Sequence, residues 1–145
     1  MTGVKIDGLE VAKSVKLQVT NIVNDLKTKG ITPCLATVLV GDNPASATYV
    51  KNKHKACEEV GIITKDHKLD ENITQQQLTE IIDELNADVS VHGILVQLPL
   101  PKHLNEFATT SRISPIKDVD GLTPHNAGLL AMKKAALVAC TPSGV

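Results

Sequence analysis

Residues 34–40 read Cys-Leu-Ala-Thr-Val-Leu-Val, apolar at every position but one, and stand between Pro33 and Gly41. A run this short and this apolar, bounded by two breakers, predicts a β-strand covered on both sides. Such a strand needs a layer of structure against each face. The neighbouring sequence supplies the helices. From Leu9 to Leu26, Val11, Val15, Val19, Ile22, Val23 and Leu26 recur at helical spacing, and Lys29-Gly30 closes the segment. After Gly41, Asn43 suits an N-cap, Pro44 the first helical position and Gly61 a C-terminal stop. Ile62 to Leu69 fits a second, more polar strand nearer an edge. Thr74 and Gln77 have capping-box spacing, and Leu78, Ile81, Ile82 and Leu85 form the stripe of the helix they open. Val91 to Leu98 predicts a third strand, stopped by Pro99-Leu100-Pro101. Helix and strand alternating in this way predict an α/β fold: three layers, a mainly parallel sheet, helices on both faces and right-handed crossovers.

The last third is less regular. Val4 to Ile6, at the other end, reads as a short extended lead-in. Leu104 to Thr110 predicts a short helix, Pro124 to Leu130 another helical turn, and Ala135 to Val138 extended or irregular chain. Thr141 followed by Pro142 resembles a helix start, cap then proline. The chain is therefore expected to be a truncated piece of a longer protein; a frayed tail is the other reading.

The helix after Gly41 carries the first candidate chemistry. Wound at 100° per residue, it brings Ser46, Tyr49, Val50, Lys53, Ala56, Cys57 and Val60 onto one face. Thr48, Lys51, Asn52, Lys55, Glu58 and Glu59 form an ordinary solvated face, with His54 at the border. A lysine in the middle of an inward face has its pKa lowered by burial unless an anion compensates, and a lysine so placed can move protons near neutral pH. Alternatively Lys53 lays its methylenes on apolar surface and sends its ammonium to water. Gln97 lies at the carboxyl end of the third strand, where open α/β sheets bind ligands, and its amide needs partners there. Asp120, in the Asp-Val-Asp-Gly loop, can accept from a ligand amine or amidine; the alternative for both Asp118 and Asp120 is simple turn chemistry.

Several function classes are excluded. A net charge of −1 without a basic run gives no support for nucleic-acid or anionic-membrane partners. The N-terminus lacks a signal-peptide core and no apolar stretch reaches membrane-spanning length. Cys34, Cys57 and Cys140, odd in number and widely spaced, read as reduced thiols of a cytoplasmic protein. The histidines show no ligand spacing, so no metal is expected. No Gly-x-Gly-x-x-Gly, phosphate loop or nucleophile elbow occurs.

Four stretches together resemble one known family: A-S-x-x-Y-V-x-x-K within Gly41–Gly61, HGILVQLPLP at 92–101, KDVDGL at 117–122 and CTPSG at 140–144. In this order and at these separations they are similar to bifunctional methylenetetrahydrofolate dehydrogenase/methenyltetrahydrofolate cyclohydrolase, across essentially the whole chain. Ala139, where a proline often precedes Cys140, and Leu129, where a basic residue is common, depart from the pattern. The resemblance implies that residues 1–145 are the folate-binding catalytic domain, with an amino acid dehydrogenase-like N-terminal fold. An NADP-binding Rossmann domain would then lie beyond this chain. It implies a catalytic role for Lys53, above all in the cyclohydrolase step, with Gln97 tuning and positioning it. Tyr49 packs on the pterin and belongs to the catalytic set, and Asp120 anchors the pterin amino edge. Ser46, Val50, Leu98 and Pro99 complete the substrate-binding set. NADP, a tetrahydrofolate derivative as substrate and a homodimeric full-length enzyme are likewise implied. Competing expectations are a stand-alone folate-binding or regulatory module without turnover, and a related dehydrogenase fragment acting on another substrate.

Overall fold

The computed structural model describes residues 7–134 and 137–139. The lead-in at Val4 to Ile6, the first half of the Ala135–Val138 segment and the helix start at Thr141 lie outside the described residues. The elements in order are α1 Gly8–Thr28, β1 Cys34–Val40, α2 Pro44–Val60, β2 Ile63–Leu69, α3 Gln75–Ala87, β3 Gly93–Val96, α4 Glu106–Arg112 and α5 Pro124–Ala131.

The three strands are parallel and ordered β2-β1-β3. Two crossovers, of the right hand that parallel strands almost always take, explain the layers. The first steps from β1 to β2 through α2; the second steps back across β1 to β3 through α3. Reversing direction puts the two helices on opposite faces. The reversal also leaves a crevice beyond the carboxyl ends of β1 and β3, the position that ligands take in open α/β sheets. Every other residue of β1, Cys34, Ala36, Val38 and Val40, joins Leu78, Ile82 and Leu85 of α3 and Ile94 and Val96 of β3 in the main core. Thr37 and Leu39 alternate with them, and both are buried. β2 is the edge strand and is half solvated, as its polar sequence predicts.

Local signals in the sequence fix the helix ends. Asn43 accepts from Ala45 N and Ser46 N, at 3.0 and 3.1 Å. Thr74 and Gln77 form the expected reciprocal capping box. Gly61 closes α2 at φ +82°, in the left-handed region. It also lets α1 come close: a Cβ there would lie 2.8 Å from Lys27 Nζ and 3.4 Å from Val23 Cγ1.

Three expectations need correction. The apolar stripe of α1 is not buried as a unit. Val23 is, but Val11, Val15 and Ile22 are all more than half exposed. Only the C-terminal part of α1 lies over α2, and residues 7–18 are exposed on every side. Second, β3 is shorter than Val91–Leu98, although its pairing reaches one residue further each way through His92 N to Cys34 O and Gln97 N to Val38 O, both 2.9 Å. Third, α4 begins two residues later than Leu104, because Asn105 caps it by accepting from Ala108 N at 2.9 Å.

Candidate active site

The candidate residues lie on three pieces of chain: α2, the turn after β3 and the loop at 114–122. On α2 the inward face is narrower than the helical wheel suggests. Ser46, Val50 and Val60 are buried, and Lys53 is only partly so. Tyr49 is 64% exposed, so it is not on an inward face. A ring held this open, one turn before Lys53, offers a free surface to another flat group.

The 114–122 loop is held from beneath. Lys117 Nζ donates to the carbonyls of Leu85, Asn86 and Asp88 at 3.0, 2.8 and 2.8 Å, covering the carboxyl end of α3 with a cation. Asp118, 1% exposed, accepts from Leu122 N (3.2 Å), Thr123 N (2.8 Å) and Asn126 Nδ2 (2.9 Å). Burial alone would push the Asp118 carboxyl up; the bonds from Asn126, Thr123 and Leu122 outweigh it and hold the group below the ordinary value. Asp118 therefore does turn chemistry, and Asp120 is the residue it presents.

Asp120 faces α2. Its Oδ1 stands 4.0 Å from Lys53 Nζ, with about a third of each side chain exposed, 34% and 37%. An anion thus stands beside a half-covered amine. Burial pushes the Asp120 carboxyl up from its usual value; Lys53 pulls it back, and Asp118 adds to the rise. A carboxyl so perturbed, in a crevice and beside an amine, is a candidate functional group on physical grounds.

Gln97 occupies the end of β3. Its Nε2 donates to Leu98 O at 2.7 Å, while its Oε1 is buried and has no hydrogen-bond partner among the described residues. Unpaired buried oxygens are rare and need a reason. Leu98 packs on the main core, the Leu98–Pro99 peptide is cis, and Pro99 is exposed. Pro99, Leu100 and Pro101 form one wall of a cavity of about 370 Å³, with Val40 to Asn43 and Glu71 opposite. That cavity is separate from the residues expected to bind substrate, Pro99 excepted: Ser46, Tyr49, Val50, Lys53, Gln97, Leu98 and Asp120 do not line it.

The structure thus brings Lys53 and Asp120 together from distant parts of the chain. Sequence reasoning missed Lys117 and Asn126, which shape the loop. A loop lysine reads as solvated, and Asn126 Nδ2, bonded to both Pro115 O and Asp118 Oδ2, carries no signal in its neighbours.

The catalytic domain model of the tetrahydrofolate dehydrogenase/cyclohydrolase family matches residues 6–120. Over its full length the chain is 77% identical to the bifunctional protein FolD of Nitrosopumilus maritimus, of which it covers 50%. The crystal structure of FolD methylenetetrahydrofolate dehydrogenase/cyclohydrolase from Campylobacter jejuni superposes with a TM-score of 0.93 at 50% identity, over 95% of this chain and 49% of that one. The Trypanosoma brucei methylenetetrahydrofolate dehydrogenase-cyclohydrolase, solved with NADP and an inhibitor, superposes with a TM-score of 0.91 at 38% identity, over 99% and 50%. The chain spans about half the length of the curated relatives it matches.

Proposed function

The chain belongs to the tetrahydrofolate dehydrogenase/cyclohydrolase family, and from that premise we propose that it is the folate-binding catalytic half of a bifunctional enzyme. The whole enzyme oxidises methylenetetrahydrofolate to methenyltetrahydrofolate with NADP and hydrolyses the product to 10-formyltetrahydrofolate. The observation that carries the proposal is the Lys53–Asp120 approach at 4.0 Å, at the switch point of the sheet.

The dinucleotide is bound elsewhere. The turn after β1 is Gly41-Asp42-Asn43, with one glycine and a carboxylate where a pyrophosphate would need bare N–H groups. No step through NADP is assigned to these residues.

The hydrolytic step suits them. Methenyltetrahydrofolate carries its positive charge on an amidinium carbon. Water adds there, a proton leaves the adduct, and the ring opens to the formyl product. Lys53 takes or shares that proton as it leaves the adduct. Gln97 Oε1, lacking a donor, accepts an N–H from Lys53 and fixes its direction. Asp120 accepts from the amino edge of the pterin, and Tyr49 stacks on its face. Ser46, Val50, Leu98 and Pro99 surround them. The full-length protein acts as a cytoplasmic homodimer. Among the described residues no helix is long and apolar enough to cross a membrane.

The test is loss of methenyltetrahydrofolate near-ultraviolet absorbance in the presence of the protein. Lys53→Ala lowers the rate by at least about 100-fold, the usual scale for a proton-transfer group. Folate binding without lysine-dependent loss would show a binding module instead.

A further inference from the structure

Three side chains from three elements meet behind α2. Thr37 of β1 is 1% exposed and donates from Oγ1 to Asp66 Oδ1 of β2 at 2.9 Å. His54 of α2 brings Nε2 to 2.7 Å from the same oxygen and 3.0 Å from Thr37 Oγ1. With its proton on Nε2, His54 donates to the Asp66 carboxylate. Thr37 and Asp66 are register partners, halfway along β1 and the edge strand β2. His54 follows Lys53 directly in the chain.

The rest of α2 is lightly held. Its buried side chains are Ser46, Val50 and Val60, and the nine residues between the two valines include both Lys53 and His54. Apolar anchors locate a helix against a sheet but hold its rotation and axial slide only weakly, because apolar contact is non-directional. A charge-assisted hydrogen bond at mid-helix is directional and removes that freedom. Its side chain leaves the backbone immediately after Lys53, so it sets the point from which the amine reaches Asp120.

We propose that His54, through Asp66 and Thr37, is a positioning residue that fixes α2 so that Lys53 stays within reach of Asp120. The proposal rests on the lysine chemistry given above, and its test separates the two. In the full-length enzyme, His54→Leu removes the donor and His54→Gln restores an N–H near the same place. Asp66→Asn, at a half-exposed strand position, removes the acceptor charge without touching the helix. His54→Leu and Asp66→Asn lower cyclohydrolase kcat about tenfold or more with KM within about twofold, as expected for misplacement by a fraction of an ångström. His54→Gln recovers most of the rate.

The independent readout is competitive acetylation of lysines by acetic anhydride, quantified by mass spectrometry. Lys53 changes its relative reactivity at least about twofold in His54→Leu and returns in His54→Gln, while exposed Lys51 and Lys55 stay constant. Unchanged Lys53 labelling in both His54→Leu and Asp66→Asn overturns the inference, whatever happens to melting temperature. Altered Lys53 labelling in His54→Leu and Asp66→Asn, with turnover that does not depend on Lys53, would retain the positioning and remove the hydrolase reading.

Discussion

Asp118→Asn tests how the loop is built. The change is nearly isosteric, so no cavity forms. Oδ2 of Asp118 receives two donors and Oδ1 one. An asparagine can keep its single oxygen at the Oδ2 position, but its NH₂ then confronts Leu122 N–H, donor against donor. Two bonds lose their charge and one buried N–H loses its partner, about 2–4 kcal/mol together. For a chain of 145 residues the unfolding entropy is about 0.3 kcal/mol per kelvin, so Tm falls by about 7–13 °C. Thermal unfolding followed by circular dichroism measures it.

The pH dependence gives a second check. Because the folded Asp118 carboxyl is held below its ordinary value, its stabilisation is present above the unfolded carboxylate range. It is lost as pH falls through the folded value. The gap between wild type and variant is therefore constant from neutral pH to about pH 4 and narrows below that. A Tm loss under about 3 °C, or a gap that widens on acidification, would refute the reasoning. Folate affinity falls with stability, since Asp120 is carried by the same loop.

Two further predictions follow from the same region. Gly93→Ala puts a Cβ 2.5 Å from Val119 Cγ1 and 3.4 Å from Leu35 Cδ1; Val119 must move, and urea unfolding should show a loss of about 1–3 kcal/mol, with weaker folate binding because Val119 adjoins Asp120. Lys117→Met removes three bonds to the carbonyls of Leu85 and Asn86 in α3 and of Asp88 just after it; the expected loss is about 1–3 kcal/mol, and amide exchange should speed up selectively in the last turn of α3.

Much of the fold was legible because its signals are local. Pro33 and Gly41 bound β1 to the residue, and the Thr74–Gln77 box opens α3, since breakers and caps act within a few residues. The stripe of α1 misled for the opposite reason. Periodicity says that a face wants cover, not which part of the chain lies over it. Tyr49 was assigned inward by angle alone, yet the arc α2 buries is only Ser46 and Val50 in that stretch. Of the site, Lys53 could be found as a misplaced charge, and Asp118 and Asp120 as a pair. Dividing that pair into a loop fastener and a presented carboxylate needed coordinates. The Thr37–His54–Asp66 triangle was invisible, because each member is ordinary in its own neighbourhood and only strand register and crossover bring them together.

The unpaired oxygen of Gln97 has a consequence for the empty molecule. A buried acceptor without a donor leaves the folded chain worse off by about 1–3 kcal/mol than a perfectly matched interior would be. Selection for folding alone would favour an apolar residue at that strand end. A glutamine kept there therefore has a use other than packing, and a Lys53 N–H turned toward its oxygen would recover that loss.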